Sequence, residues 1–287
     1  MILSIVKTLV LCLVLSSCSL VHGQRFQDFT TPTPLPEENL LIIGFMGGRE
    51  SWDNNKRGVR KMALKLRAMN LPGVHVETVE NKKRRLAIEL IRKAFDRNRD
   101  GELDIRERAS ARVVIYGQSF GGAAVVKLAR QLKKIDVPVL LTVQVDSVGR
   151  GDKVIPSNVL RAANLFQRDG LIIKGEKEIR PEDPSKTAII GNFKFSYRGK
   201  KIDLSEVSWL KRRFQAAHTK MDHDPEVWAL VEKIILDVVT TKKIDLQERY
   251  RVLAINSEFD SAIHSDRSEI FIAFTTHIKF TPVGGTE

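Results

Sequence analysis

Apolar runs of strand length, alternating with amphipathic segments of helical period, predict an α/β fold: a mainly parallel sheet with helices on both faces. Leu40–Phe45, Val113–Tyr116 and Val137–Val145 are nearly continuous in apolar residues, as strands buried on both sides must be, and Val74–Val79 reads as a fourth strand. Between them, Arg57–Met69, Leu86–Phe95 and Ala123–Lys134 place apolar residues on one helical stripe. The two kinds of segment alternate along the chain, which is how a parallel sheet is covered on both faces. At 287 residues and 43% apolar composition, the chain can bury a full core, expected as one domain with additions.

The first 23 residues read as an export signal. Lys7 precedes a short apolar run, Thr8–Leu15, that ends in small residues and is too short to span a bilayer comfortably. Within it, Leu15-Ser16-Ser17-Cys18 matches a lipoprotein cleavage box, with Cys18 as the lipidated residue; the alternative is plain secretion with cleavage after Gly23. The only cysteines are Cys12 and Cys18, so nothing downstream can form a disulfide. Localisation is therefore expected in a bacterial cell envelope, by membrane attachment through Cys18, or outside the cell. Residues 24–39, with Thr31-Pro32-Thr33-Pro34-Leu35-Pro36, predict a semi-rigid tether. The net charge of +12 includes the runs Lys82-Lys83-Arg84-Arg85 and Lys211-Arg212-Arg213. No aromatic residues interleave with these runs, so they read as solvated faces and no nucleic-acid partner is expected.

The first core strand ends in Met46-Gly47-Gly48, a glycine pair that either makes a turn or presents backbone amides of Phe45 or Met46 to a bound oxyanion. Further on, Asp96–Glu107 (DRNRDGELDIRE) fits the twelve-residue EF-hand calcium loop. Asp96, Asn98 and Asp100 take the first, third and fifth places, Gly101 the sixth and Glu107 the twelfth. Glu102 would offer its carbonyl and Asp104 would act directly or through water. The flanking Arg97, Arg99 and Arg106 weaken the local negative potential, so any Ca2+ held here is expected to be weakly bound and structural. An acidic Asp-Gly turn is the alternative.

The fold is organised around Arg112–Gly122 (RVVIYGQSFGG). A buried strand runs into Gly117-Gln118-Ser119-Phe120-Gly121 and then directly into a helix, placing Ser119 at a strand-to-helix corner. Glycines on either side of the serine allow the tight turn, and the helix amides, Phe120 first, face the place where an oxyanion would form. The next strand ends in Asp146-Ser147, which puts a carboxylate at the same sheet edge; Asp146 is the candidate acid, or a cap of the following turn. Pro156–Gln167 reads as a helix and Thr187–Tyr197 as a strand, this region supplying part of the site wall. His218 and His223 lie in what reads as a loop before a last core helix begun by Asp224-Pro225, and either can serve as base. The tail 241–287 has two strand-like runs, Tyr250–Ile255 and Ile270–Phe280, and no catalytic pattern.

With the order strand, GQSFGG turn, Asp146 after the next strand and His218 before a terminal helix, the stretch Leu40–Val238 resembles the α/β-hydrolase superfamily, in its lipase-like and thioesterase-like branch. The resemblance implies a serine hydrolase of ester or thioester substrates, small or lipidic. In it Ser119 would be the nucleophile, His218 the base, Asp146 its orienting acid, and the amides of Phe120 and of Phe45 or Met46 the oxyanion hole. His218 is preferred because the segment His218-Thr219-x-Met221-Asp222 is similar to the histidine segment of that branch. The chain lacks the His-Gly-Gly motif of many esterases and carries the EF-hand-like loop as an addition. A non-catalytic calcium-binding envelope protein on the same scaffold is the other reading, and the oligomeric state is not legible.

Overall fold

The computed structural model of the chain describes residues 23–170, 173–207, 209–214 and 216–240. The expected leader with Cys12, Cys18 and His22, and the expected strand runs of the tail with His264 and His277, lie outside the described residues. The strands are β1 (Leu40–Met46), β2 (Val74–Glu80), β3 (Arg112–Gln118), β4 (Val139–Val145), β5 (Val154–Ile155), β6 (Val159–Gln167), β7 (Arg180–Pro181) and β8 (Ala188–Phe195). Six of them form one sheet in the order β2-β1-β3-β4-β6-β8, and every pairing in it is parallel. β5 and β7 make a separate small pair.

The helices are α1 (Gly58–Ala68), α2 (Arg84–Phe95), α3 (Ile105–Ser110), α4 (Phe120–Lys133), α5 (Trp209–Phe214), α6 (Ala216–His223) and α7 (Pro225–Thr240). α2 and α4 cover one face, burying Leu90, Phe95, Val125 and Leu128 against Leu41, Ile43, Phe45, Val113 and Ile115. α1, α6 and α7 pack on the other face, where the Tyr116 hydroxyl donates to the Val59 carbonyl at 2.9 Å. All seven residues of β1 and of β4 are buried, which is why their sequences lack the polar alternation of a one-sided sheet.

Two expectations are corrected. Val159–Gln167 is strand β6, not helix. Asn158 just before it and Arg161, Asn164 and Gln167 within it recur at every third place and imitate the wet face of a helix, yet Asn164 and Gln167 are fully buried. Asn164 is tolerated because its amide donates to Glu176 O at 2.8 Å. Residues 24–39 are not a free tether either. Leu35 is buried in the core with its N–H on Ala94 O, and Gln24 donates to Thr78 O on the outer edge of β2.

Candidate active site

The site is assembled where β1, β3 and β4 end. Ser119 follows β3 with φ 58° and ψ −125°, outside the regions comfortable for a residue with a β-carbon. Backbone hydrogen bonds hold it there: its N–H donates to Val145 O at 2.9 Å, and its carbonyl accepts from Gly122 N at 3.0 Å and Val148 N at 3.1 Å. Gly121 permits the first turn of α4 to press onto β1, since a β-carbon at that position would stand 2.1 Å from Phe45 O.

Asp146, one residue beyond β4, is fully buried, with φ 44°. Its Oδ2 lies 2.6 Å from His218 Nδ1, and His218 Nε2 lies 3.0 Å from Ser119 Oγ. A carboxylate can only accept, so the ring proton belongs on Nδ1 and Nε2 is left as an acceptor for the serine hydroxyl. Ser119, Asp146 and His218 are thus brought together in one hydrogen-bonded row. Gln118 Nε2, 3.3 Å from the same His218 nitrogen, is a second donor to it.

The local structure around the histidines differs from the expected loop: both lie on α6, at opposite ends. His223 does not reach the cleft. It faces a separate groove with Lys61, Met62 and Trp228, its Nε2 lies 3.7 Å from Asp222 Oδ2, and burial lowers its pKa from the ordinary 6.5. α6 is held to the start of α1 by Asp222, whose Oδ1 accepts from Gly58 N at 3.2 Å and Oδ2 from Arg57 Nη1 at 3.1 Å. Arg57 also pairs with Glu50.

Sequence reasoning missed the groups that hold Asp146. Gln167, at the end of β6, donates its Nε2 to Asp146 Oδ2 at 2.9 Å and its N–H to Oδ1 at 3.3 Å. Gly175 packs against the same carboxylate. The signal for Gln167 is a polar residue ending a buried strand next to that of Asp146, and the helical spacing of the polar residues in β6 conceals it.

Ser119 and His218 open onto a cleft of about 320 Å³ that Gly47, Gly48, Arg49, Phe120, Ile173 and Thr219 help to line. Phe120 begins α4, so its N–H is one of the unpaired amides of a helix start, and the residue is 53% exposed. Phe45 and Met46 are fully buried within β1, and the cleft wall beyond them is formed by Gly47 and Gly48. The residue beside Ser119 is Gly47, where a β-carbon would lie 3.3 Å from Ser119 Cβ.

The Asp96–Glu107 loop lies at the opposite, amino edge of the sheet. Its side chains are engaged with its own backbone: Asp96 Oδ2 accepts from Gly101 N, Asn98 Oδ1 from Asp100 N, and Asp100 Oδ1 from Glu102 N. Glu107 takes the N–H groups of Arg97, Asn98 and Asp104, and Asp104 caps α3 through Glu107 N. Among the described residues no three His, Cys, Asp or Glu side chains gather as a metal-binding group. Asp96 Oδ1 is buried without a partner, the one feature here that a cation would satisfy.

No family model matches the sequence, and no curated protein is detectably similar to it. Among solved structures, the fold is similar to a dienelactone hydrolase from Anabaena variabilis, at 13% identity and TM-score 0.35, over 71% of this chain and 86% of that one. It is also similar to an α/β serine hydrolase without a lid from Xanthomonas campestris, at 14% identity and TM-score 0.31, over 70% and 87% of the two chains. The likeness is distant, and the chain's own topology and distances define the site.

Proposed function

We propose that the chain is an exported serine hydrolase that cleaves an ester or thioester. The observation that carries this reading is the row Asp146–His218–Ser119, with contacts of 2.6 and 3.0 Å. Ser119 Oγ attacks the acyl carbonyl while His218 Nε2 takes its proton; Asp146 holds the ring and stabilises its cationic form. The oxyanion is received by the amide of Phe120 and one from the Gly47-Gly48 turn. His218 returns the proton to the departing alcohol or thiol, and water then frees Ser119 by the same route. A fluorophosphonate should label the protein at Ser119. Ser119→Ala should abolish labelling and lower turnover of a short-chain ester by at least about a thousandfold with an unchanged circular dichroism spectrum. Absence of labelling in folded protein would instead favour a non-catalytic binding role.

Two further assignments belong to this reading. Export ends in lipidation of Cys18, so labelled palmitate supplied to an expressing bacterium should tag the wild type and not Cys18→Ser; a mature chain starting at Gln24 would overturn this. The Asp96–Glu107 loop binds Ca2+ weakly, because Glu107 must give up backbone amides to reach the ion. The ion is structural: β3 separates the loop from Ser119 by about 20 Å, too far to polarise a substrate.

A further inference from the structure

We propose that the carboxyl edge of the sheet, the edge that bears Ser119, docks onto an anionic lipid bilayer and takes its acyl substrate from that surface. The docking stands on charge and placement; the substrate half rests on the serine-hydrolase reading of the cleft.

The sequence distributes charge unevenly between the two ends of the strands. Loops at the amino edge carry Glu37, Asp100, Glu102, Asp136 and Asp183 beside Arg99, Arg106, Lys134 and Lys186, so charges of both signs are mixed there. Both basic runs come to the carboxyl edge. Lys82-Lys83-Arg84-Arg85 follows the end of β2, and at about 4.8 Å between strands that end stands roughly 10 Å from the end of β3. Asn81, which precedes the run, donates to the carbonyl of Gly48 in the cleft wall, and Arg84 donates to Asn81 O at 3.1 Å. The run is therefore fixed beside the cleft. The second run enters the fold through α5, and Arg213 is five residues before His218, within about 18 Å by chain length. Lys82, Arg85, Arg212 and Arg213 are all exposed, and Arg49 adds a further exposed charge in the cleft wall. The edge also carries acids: Glu50 and Asp222 are paired with Arg57 and Asp169 with Arg198, while Asp53, Glu178, Asp203 and Glu206 are exposed in the loops after β1, β6 and β8, so the basic runs and not the whole edge define the docking patch.

Apolar groups accompany these charges. Phe120, next to Ser119, is 53% exposed, and Trp209, at the start of α5, is 63% exposed. Basic groups with exposed aromatic rings are the combination that binds an anionic membrane interface, where each Lys or Arg near the surface is worth about 1 kcal/mol, roughly fivefold in partitioning. The expected leader joins the described body at the same corner: a β-carbon on Gly23 would stand 3.3 Å from Lys83 Nζ.

The test is co-sedimentation of the full chain with phosphatidylcholine vesicles, with and without phosphatidylglycerol. The anionic lipid should raise partitioning by at least about tenfold at low salt, and molar salt should remove the gain. The variant K82Q/R85Q/R212Q/R213Q should lose on the order of a hundredfold in partitioning to the anionic vesicles. R99Q/R106Q/K134Q/K186Q, with the same net charge but altered at the amino edge, should lose less than about threefold. Equal losses in the two variants, or no preference for anionic vesicles, would overturn the docking; so would retention on duplex DNA with the same dependence on the carboxyl-edge charges. Ser119→Ala should bind vesicles like the wild type. Hydrolysis of an ester carried in anionic vesicles should fall in the carboxyl-edge variant while that of a soluble ester stays unchanged; equal turnover of the vesicle ester would overturn the substrate half. A Ser119 that takes no fluorophosphonate would remove the hydrolase reading and leave the vesicle result standing.

Discussion

Gly175 shows how the site depends on a residue with no chemistry of its own. A β-carbon there would lie 2.1 Å from Asp146 Oδ1 and 2.9 Å from Asp146 Cα, so the loop has closed onto the carboxylate as far as atoms allow. On its other side the carboxylate is held by Gln167, so Asp146 has one orientation in which to meet His218. Gly175→Ala should push Asp146 off that line. Turnover should then fall by more than about tenfold with KM nearly unchanged, the upper bound being the ~10⁴-fold loss seen when the orienting acid of such a triad is disabled. An unchanged kcat would mean that the loop, not the carboxylate, yields. The contrast with Ser119 explains what could be read in advance. The elbow is a local device whose residues are adjacent in sequence. Gln167 and Gly175 reach Asp146 through strand register and loop closure, which adjacency does not encode.

Among the elements, the strands with continuous apolar sequence were legible because burial on both faces leaves one signature. β6 and α6 were not. β6 carries buried polar residues at helical intervals, and only the partners supplied by its neighbours make them tolerable; α6 is too short for a period to show, and Asp222 fixes it by bonding to α1. The Asp96–Glu107 loop is the opposite case, a local pattern whose hydrogen bonds follow its residue types closely. Asp96 Oδ2, Asp100, Asp104 and Glu107 already accept from the loop's own chain, so the loop folds without an ion and calcium should add stability rather than create structure. At millimolar calcium the melting temperature should rise by a few degrees, the size of shift expected from about 1 kcal/mol in a chain of this length. Asp96→Ala should abolish the rise and leave ester turnover, measured well below melting, within about twofold. Loss of activity on chelation at constant melting temperature would refute a structural role.

At the scale of the molecule, the sheet has two edges and treats them differently. Among the described residues no strand pairs with the outer side of β8, whose residues alternate between exposed and half-buried. β2 is covered by the segment expected to be a tether, and the residue responsible is Glu77. Its side chain points away from solvent, fully buried, and Oε1 accepts from the N–H and hydroxyl of both Thr30 and Thr31 at 2.7 to 2.9 Å. Oε2 pairs with Arg67 of α1 at 2.8 Å. One carboxylate therefore joins three layers: the N-terminal segment, the sheet and the helix that anchors α6. Covering β2 also denies its backbone to a strand from another copy. Because the proline pattern that suggests an extended tether is equally suited to a strip laid along an edge, only the buried Glu77 in β2 could have told them apart. Glu77→Ala would leave four donors without an acceptor and Arg67 without its partner. The cost should be about 3 kcal/mol or more, lowering the melting temperature by roughly 6–12 °C. Limited proteolysis should then cut within residues 24–34, which resist cleavage in the wild type, while Glu77→Gln, keeping one acceptor oxygen, should fall between the two. A Glu77→Ala variant that melts with the wild type and gains no cleavage site would show that the segment is held by Leu35 and Gln24 alone.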